Sequence, residues 1–403
     1  MIIVADENIP FAREIFGNLG EVRLMPGRNV DREILHDAAV LVVRSVTAVN
    51  EKLLRDSPVR FVGTATIGTD HVDLSCLRQA GIVFADAAGS NANSVVEYVV
   101  AALLHLAVKN GFELEGRTIG VIGAGNVGSR VAIKARALGM RVLLNDPPLE
   151  RRIDELGTIS PSLPISRYSV TPEFLSLESA LQADFITLHT PLTRTGLDPT
   201  FHLLDARRFE QIKRGAILLN TSRGAVVHQR ALRQALESGR IAAAVLDVWE
   251  NEPEIEVGMI ERVALGTPHI AGYSLDGKLQ GTVQIYQALA RFLGRKASEN
   301  FSSFLPPPVK AVFQITSGPK RIEEILHHAV SEAYDIGADD ETFREAVSQS
   351  ALSPAERGRK FDKLRKVYPV RREFGNYTVV YGEAAKREAG KLEGLGFKIE
   401  MAT

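Results

Sequence analysis

A chain of 403 residues is too long for one ordinary hydrophobic core, so its length indicates two or three domains. With 45% hydrophobic and 24% charged residues, the composition is typical of a soluble globular protein. The 48 Lys and Arg residues nearly balance the 49 Asp and Glu residues, which excludes a general attraction to nucleic acid or to anionic membranes. Any anionic ligand must therefore be held by local charges.

The cysteine content and the N-terminal residues indicate the cellular compartment in which the protein is expected. Cys76 is the single cysteine, which permits no intrachain disulfide and provides no metal-binding spacing. The first residues show no signal-peptide pattern, and no apolar stretch reaches the roughly 20 residues that cross a bilayer. We therefore expect a cytoplasmic protein without a nucleic-acid or membrane partner. The sequence has no H-E-x-x-H motif, so no metal site is expected.

The first hundred residues alternate short apolar runs with helical patterns, which predicts an α/β fold with a parallel sheet. Polar segments at 44–47 and 64–70 follow two of the runs. Ligands bind at the carboxyl ends of strands in such sheets, so these segments are candidates for substrate contact. The predicted elements are strands at 2–5, 39–43 and 61–64 and a helix at 11–19.

A second α/β unit is predicted to follow a long helix at 94–109, which we interpret as the crossover between two domains. After Gly272, another helical pattern returns the chain to the first domain. The strands expected in the second unit lie at 118–122, 141–145, 185–188, 216–220 and 243–247.

The composition changes at 296–310, where a Ser pair and three consecutive prolines predict an extended linker. Beyond it, the pattern indicates a small α+β module. Its predicted elements are strands at 311–315 and 377–381 and helices at 321–334 and 384–395.

A glycine-rich loop with G-x-G-x-x-G spacing lies between a predicted strand and a predicted helix. This order suits a dinucleotide, because the glycines let the backbone approach the pyrophosphate and the helix N-terminus offers free N–H groups. Asp146 lies 18 residues after the last glycine, where an acid accepts hydrogen bonds from a ribose and disfavours a 2′-phosphate, so NAD is expected rather than NADP. The alternative is that Asp146 only caps the turn that follows it. The expected cofactor contacts in the loop are Gly123, Gly125, Asn126, Val127 and Gly128.

Three further polar segments, at 220–224, 247–253 and 267–272, each follow an apolar strand and could meet at one sheet edge. Arg223 is suited to pair with a carboxylate, and His269 is suited to exchange a proton near neutral pH. Glu252 could orient the histidine and favour its imidazolium form. Taken singly, each has a simpler interpretation: a surface charge, a solvated loop residue or a structural histidine. A hydrolase is not indicated, because no G-x-S-x-G motif occurs.

The glycine loop and these three segments closely resemble the D-2-hydroxyacid dehydrogenase family, which includes phosphoglycerate and formate dehydrogenases. The resemblance implies two Rossmann-like domains: a flavodoxin-like substrate domain split between 1–93 and 273–295, and an NAD-binding domain at 94–272. It implies that Arg223 binds the carboxylate, that His269 is the general acid/base and that Glu252 pairs with it. Further cofactor contacts implied by the resemblance are Thr190, Asp247 and Gly272.

Finer features resemble one member of this family that acts on a small phosphorylated 2-hydroxy acid. The segments concerned are 6–10, 43–47, 63–66, 146–148 and 269–274, together with 361–366 and 371–373 in the tail. The resemblance implies a C-terminal dimerisation domain at 300–403 and hence a homodimer. It also implies substrate contacts by Ser45, Thr66 and Tyr273. One departure is His228, where many relatives have Asp.

A phosphorylated 2-hydroxy acid has two anionic ends and requires a second cationic site. Arg44 is the nearest candidate in the substrate domain. The stretch 356–374 contains eight Lys or Arg and three acids, so Arg365 and Arg371 are candidates for reaching the phosphate across a dimer interface. The simpler interpretation of this stretch is a solvated charged face.

The expected function is therefore NAD-dependent oxidation of a phosphorylated 2-hydroxy acid. Two alternatives remain open at this point. One is another dehydrogenase of the family, with a different substrate length and tail. The other is a protein on the same scaffold that senses NADH without turnover.

Overall fold

The computed structural model describes residues 1–156, 163–167, 172–297, 301–316 and 321–402. The chain forms two compact units. The first unit comprises Met1–Asn91 and Tyr273–Pro307, and the second comprises Ala92–Gly272 and Pro308–Thr403.

The described residues form fourteen strands and fifteen α-helices, numbered in chain order. The strands are β1 (Ile2–Asp6), β2 (Glu21–Met25), β3 (Ala38–Val43), β4 (Phe61–Thr64), β5 (Val83–Asp86), β6 (Thr118–Ile122), β7 (Arg141–Asn145), β8 (Phe185–Leu188), β9 (Ala216–Asn220), β10 (Ile241–Leu246), β11 (Leu265–Gly266), β12 (Val312–Ile315), β13 (Thr378–Tyr381) and β14 (Lys398–Met401). The helices are α1 (Ala12–Phe16), α2 (Glu51–Leu54), α3 (Leu74–Gln79), α4 (Ala92–Asn110), α5 (Gly128–Ala137), α6 (Pro147–Leu156), α7 (Leu177–Ala180), α8 (Ala206–Gln211), α9 (Gln229–Glu237), α10 (Val257–Ile260), α11 (Leu275–Phe292), α12 (Ile322–Ala333), α13 (Ile336–Val347), α14 (Pro354–Lys366) and α15 (Lys386–Leu395).

The first unit is built on a five-stranded parallel sheet with the order β2-β1-β3-β4-β5. Its strands are rich in Val, Ile, Ala and Phe because both faces of the sheet are covered. Two hydrophobic clusters fill these faces, one of which includes Ile285 and Leu289 of α11. Helix α11 thus packs in this unit although it follows the second sheet in the chain, and the predicted domain bounds stay a prediction.

The second unit contains a six-stranded parallel sheet with the order β11-β10-β9-β8-β6-β7. The chain leaves β6 for β7 on one side and then crosses to β8 on the other. The carboxyl ends of β6 and β8 therefore mark the topological switch point, where open α/β sheets bind their ligands. The expected fold class, with two Rossmann-like sheets and a small C-terminal α+β part, is confirmed.

The C-terminal part forms a three-stranded parallel sheet, β12-β13-β14, covered by helices. Its apolar residues share one core with the rest of the second unit, since Leu326 and Val330 of α12 belong to the same cluster as Val99 and Leu103 of α4. We therefore describe the tail as part of the second unit. Its division from the NAD-binding domain at residue 300 stays a prediction.

Helix α4 is long and apolar enough to cross a membrane by length and composition alone. However, 78% of its apolar window is buried inside the protein. This burial is the pattern of a core helix, and it agrees with the predicted crossover helix at 94–109.

The sequence patterns located five strands of the two large sheets at their observed bounds, namely β4, β6, β7, β8 and β9. The elements that they missed include β2, β5, β11, β14, α13 and α14. The predicted extended linker was wrong in part. Phe301 and Phe304 pack against the core of the first unit, so the middle of the predicted linker is anchored by burial of aromatic side chains.

Candidate active site

The glycine loop lies at the switch point of the six-stranded sheet, directly after β6. Gly123 has a positive φ of 89°, and a Cβ on it would lie 2.8 Å from the carbonyl oxygen of His189, which follows β8. A Cβ on Gly128 would lie 1.8 Å from the carbonyl oxygen of Gly123. These two glycines therefore permit the tight turn and the close packing of α5 on the loop.

Gly125 differs from these two because a Cβ there would meet no protein atom within 4 Å. Its small size is thus not required by the fold itself, and it keeps the outer side of the loop open to a ligand. Thr190 supplies a second sign of ligand binding. Its Oγ1 is buried and has no hydrogen-bond partner among the described residues. Helix α5 begins at Gly128 without a side-chain cap, so its N-terminus can receive a pyrophosphate.

These features fit a dinucleotide. Asn126 and Val127 lie in the same loop, next to the N-terminus of α5. Val127 is the N-cap of α5 and Asn126 precedes it in the loop. Gly272 is the last residue of the segment 267–272, which contains His269 and lies in the second unit. The individual contacts of these residues with NAD stay predictions.

Asp146 caps the turn that follows it, as the alternative interpretation of the sequence proposed. It also contacts the glycine loop. Its Oδ1 accepts a hydrogen bond from Leu149 N at 3.0 Å, and its Oδ2 accepts one from Ala124 N at 2.8 Å. Burial raises the pKa of its carboxyl, although these two N–H groups act in the opposite direction. The carboxylate is thus fixed against the glycine loop, and contact with a ribose stays a prediction.

The Arg223 segment follows β9 and is held by Asn220. The Asn220 side chain accepts hydrogen bonds from Ser222 N and Oγ and donates one to the carbonyl of Arg223 at 3.0 Å. Gly224 lets this segment press against the next one, because a Cβ there would lie 2.0 Å from the backbone of Trp249. The guanidinium of Arg223 is half-buried and donates to the Ser222 carbonyl at 2.8 Å.

Glu252 and His269 form the central pair of the site. The Nδ1 atom of His269 lies 2.5 Å from Oε1 of Glu252, and the two side chains are 30% and 26% exposed. Burial by itself would raise the pKa of Glu252, but the charge and hydrogen bond of His269, with a hydrogen bond from Trp249 N, lower it below its ordinary value. Glu252 therefore stays ionised beside Nδ1 of His269, and proton exchange with a substrate at Nε2 stays a prediction.

His269 has an unusual backbone that its surroundings must hold. Its φ of 58° is in the left-handed region, which costs about 1–2 kcal/mol for a residue with a side chain. The 1% exposed carboxylate of Asp247 accepts from Ile270 N at 2.7 Å and from Ala271 N at 3.0 Å, directly after the strained residue. Burial raises the pKa of Asp247 against the effect of His269. Asp247 thus fixes the segment, and its predicted contact with the cofactor stays a prediction.

Trp249 links all three polar segments and was missed by the sequence patterns. Its backbone contacts Gly224, its N–H donates to Glu252, and its indole Nε1 donates to the Thr267 carbonyl at 2.9 Å. The available signal was that the only Trp of the chain lies inside a polar segment after a strand.

His189 was also missed. Burial lowers its pKa to about 3, so the ring is neutral at physiological pH. Its Nε2 lies 2.9 Å from Thr187 Oγ1, and its Nδ1 lies 3.3 Å from Thr221 Oγ1. It thereby connects the end of β8 to the Arg223 segment.

His228 shows what replaces the Asp of many relatives. It is the N-cap of α9, and its Nδ1 accepts a hydrogen bond from Ala231 N at 3.2 Å. The ring nitrogen of His228 therefore caps the helix in the way that a side-chain oxygen does at other helix N-termini.

The predicted substrate residues lie in the first unit. Arg44 and Ser45 directly follow β3, and Thr66 follows the neighbouring strand β4, so all three lie at the carboxyl edge of the sheet. Arg44 is half-buried, Ser45 is exposed, and Thr66 Oγ1 lies 2.7 Å from Thr64 Oγ1. The ring of Tyr273 lies 4.3 Å from the ammonium of Lys278. Their contact with substrate stays a prediction.

The suggestion that Arg371 reaches a phosphate on another subunit was wrong. This residue is 5% exposed and donates from Nη2 to the carbonyls of Ala271 and Ser94 in its own chain. The suggestion for Arg365 stays a prediction.

Comparison with known proteins agrees with the fold. Residues 104–271 match the family model described as the NAD binding domain of D-isomer specific 2-hydroxyacid dehydrogenase. Residues 304–396 match a domain of unknown function (DUF3410). The TT0316 protein from Thermus thermophilus is 28% identical, with a TM-score of 0.60 over 74% of this chain and 98% of that one. A D-lactate dehydrogenase from Aquifex aeolicus, complexed with NAD and lactic acid, is 26% identical, with a TM-score of 0.57 over 73% of this chain and 96% of that one.

The fold and the site thus define an NAD-dependent D-2-hydroxyacid dehydrogenase. The sequence identity is higher, at 45% and 46%, to two proteins called erythronate-4-phosphate dehydrogenase. The protein from Cellvibrio japonicus is 45% identical over 99% of this chain and 100% of its own length. The protein from Salinibacter ruber is 46% identical over 99% of both chains. The chain belongs to the erythronate-4-phosphate dehydrogenase family.

Proposed function

We propose that the chain oxidises 4-phospho-D-erythronate at its C2 hydroxyl to 3-hydroxy-2-oxo-4-phosphooxybutanoate, a step of pyridoxal 5′-phosphate synthesis. The observation that carries this proposal is the His269–Glu252 pair in the same unit as the glycine loop. The names of the full-length relatives supply the particular substrate.

His269 acts as the general base in this proposal. Its Nε2 takes the proton of the C2 hydroxyl as the carbon–oxygen double bond forms. The resulting imidazolium is stabilised by the ionised Glu252 carboxylate, 2.5 Å from Nδ1. Because the pKa of Glu252 is lowered, its carboxylate stays ionised beside His269 at lower pH than an ordinary Glu would.

Arg223 binds the substrate carboxylate through its planar guanidinium, which keeps its charge in a half-buried site. Asn220 and Gly224 position it by fixing the segment against the backbone of Trp249. An orienting contact of this kind places C2 for the reaction.

NAD, when bound, supplies the acceptor for the C2 hydride. The residues that would hold it are the glycine loop at 123–128, Asp146 and Thr190, with Asp247 and Gly272 near the catalytic end. Thr190 has the buried hydroxyl that lacks a partner among the described residues, so it can donate to the cofactor.

Arg44, Ser45, Thr66 and Tyr273 are the proposed contacts for the remaining part of the substrate. Arg44 supplies the cation that a phosphate requires. We further propose a cytoplasmic homodimer that associates through the tail at 300–403. Light scattering of the purified chain should give twice the chain mass; a single-chain mass would contradict this part.

The test of the function is a turnover assay with NAD that compares 4-phospho-D-erythronate, 3-phospho-D-glycerate and D-lactate, with a 2-oxo acid present as hydride acceptor. We expect the first substrate to have the highest kcat/KM. Rapid turnover of only 3-phospho-D-glycerate would favour a phosphoglycerate dehydrogenase. Binding of NADH without turnover of any substrate would favour a sensor.

A further inference from the structure

Arg371 is a buried cation that the proposed chemistry does not use. It follows α14 in the tail, and it is 5% exposed. Its Nη2 donates to the Ala271 carbonyl at 2.6 Å and to the Ser94 carbonyl at 3.2 Å. Its Nε and Nη1 have no hydrogen-bond partner among the described residues, but the ring of Tyr334 lies 4.3 Å from the guanidinium carbon. A cation–π contact of this kind offsets part of the cost of burial.

The surroundings keep Arg371 charged. Burial by itself would lower its pKa, but Tyr368, Tyr334, Glu97 and Asp339 together raise it above its ordinary value. Burying such a charge costs several kcal/mol unless it is well paired. The hydrogen bonds of Arg371 to backbone carbonyls therefore offset part of this cost.

The main acceptor of Arg371 belongs to the catalytic segment. Ala271 lies two residues after His269, whose φ of 58° requires support. From one side, the Asp247 carboxylate binds the Ala271 N–H at 3.0 Å. From the other side, Arg371 binds the Ala271 carbonyl. The segment that carries the catalytic histidine is therefore held between a buried anion and a buried cation.

A second line of hydrogen bonds leads to the same segment. Tyr98 on α4 donates to Thr267 Oγ1 at 2.7 Å, and Thr267 donates to Asp247 at 2.7 Å. This line comes from within the dinucleotide-binding part. Arg371 is distinct because it connects the segment to the tail.

We propose that Arg371 is a positioning residue for His269, which makes the tail of each chain part of its own active site. This inference rests on the proposed function for the role of His269. It differs from a dimerisation role, because every contact that carries it lies within one chain.

Arg344 provides a matched control. It is also a tail arginine, on α13, and it donates to the carbonyls of Ile260 and Val263 at 2.6 and 2.9 Å. These carbonyls lie in and after α10, outside the three catalytic segments. Arg344 also donates to Asp340, whose Oδ1 accepts from Gly266 N at 2.7 Å just before the His269 segment, but the bond to Gly266 does not use Arg344. Loss of either arginine removes donors to backbone carbonyls and should lower stability, but only loss of Arg371 should disturb His269.

The experiment compares Arg371→Met, Arg371→Lys and Arg344→Met in the full chain. For Arg371→Met we expect kcat to fall 10- to 100-fold, with the dissociation constant of NAD within twofold of the original, because a shift of about 1 Å at a catalytic group has effects of this size. Arg371→Lys should recover part of kcat, since an ammonium can still donate to Ala271. Arg344→Met should lower Tm and leave kcat within twofold.

A second measurement does not depend on turnover. In the chain without cofactor, the NMR signal of the His269 Nδ1 proton, assigned by its loss in His269→Ala, reports the hydrogen bond to Glu252. We expect this signal to shift or broaden in Arg371→Met and to stay unchanged in Arg344→Met. An unchanged signal with unchanged kcat in Arg371→Met would overturn the inference. If Arg371→Met does not fold, Arg371→Lys decides by the same two measurements. Failure of the original chain to oxidise the substrate would instead refute the proposed function, and the NMR comparison would still decide the role of Arg371.

Discussion

The glycine loop and the His269 segment lie in the same unit but are stabilised in opposite ways. The glycine loop is shaped by missing side chains, since a Cβ on Gly128 would lie 1.8 Å from a backbone oxygen. The His269 segment is shaped by added bonds, which come from Asp247 and from Arg371 about a hundred residues further along the chain. The first region should therefore fail when an atom is added, and the second when a partner is removed.

The largest expected effect separates chemistry from cofactor binding. His269→Ala should lower kcat by about 10²- to 10⁴-fold, the usual contribution of a general base, with little change in NAD affinity. The measurement is steady-state turnover together with a fluorescence titration of NADH. The matched control is His202→Ala, which removes another His–carboxylate pair, with Glu250 at 2.6 Å. An equal loss of kcat in both variants would remove the special role of His269.

The second prediction separates the glycines of the loop that the fold requires from the one that cofactor binding requires. Gly128→Ala should destabilise the unit by about 1–3 kcal/mol through overpacking and should also weaken NAD binding. Gly125→Ala should weaken NAD binding at unchanged Tm, because no protein atom lies within 4 Å of the added Cβ. Thermal unfolding with and without NAD distinguishes the two. A Tm loss in Gly125→Ala equal to that of Gly128→Ala would contradict this division.

The third prediction concerns the anion of the catalytic pair. Glu252→Gln removes the charge that stabilises the imidazolium, a hydrogen bond worth about 1.5–3 kcal/mol, so kcat should fall on the order of 10- to 100-fold. The sign of the pH effect follows from the lowered pKa of Glu252: the original chain keeps the pair as pH falls through the ordinary Glu range. In the variant, the apparent pKa of the base in the kcat/KM profile should move down. A profile that moves up would contradict an ionised Glu252.

The smallest effect on function is expected at the opposite edge of the sheet. Asp184 precedes β8, and its pKa is lowered to about 2 by Lys213 and by the N–H and hydroxyl of Thr118, against the effect of burial. Asp184→Asn should cost about 1 kcal/mol of unfolding free energy at pH 7, because solvent screens this partly exposed ion pair and reduces the effect of the pKa shift. The difference should shrink as pH falls from about 4 toward 2, because the carboxylate then protonates in both states. Urea unfolding at several pH values checks this, and kcat should not change.

What the sequence revealed follows from the same comparison. The glycine loop is a local pattern in which strand, turn and helix lie within 20 residues, so its place after β6 could be predicted. Arg223, Glu252 and His269 could be named because each follows an apolar strand. Their chemistry needs those residue types in one place.

The support of the catalytic segment could not be predicted because it is non-local. Arg371 lies in a basic stretch whose spacing does not distinguish a buried cation from a solvated one. Trp249 joins three segments only after β9, β10 and β11 have paired. The strand β11 was missed because the run Leu265–Gly266 is too brief to show a period.

The most direct test of the account is the fate of the hydrogen on C2. 4-Phospho-D-erythronate carrying deuterium at C2 should transfer that deuterium to NAD, so that mass spectrometry finds one deuterium per reduced cofactor, and His269→Ala should slow this transfer by about 10²- to 10⁴-fold. Reduced cofactor without deuterium would show that oxidation occurs at another carbon, and it would contradict the assignment of His269 and Glu252 to the C2 hydroxyl.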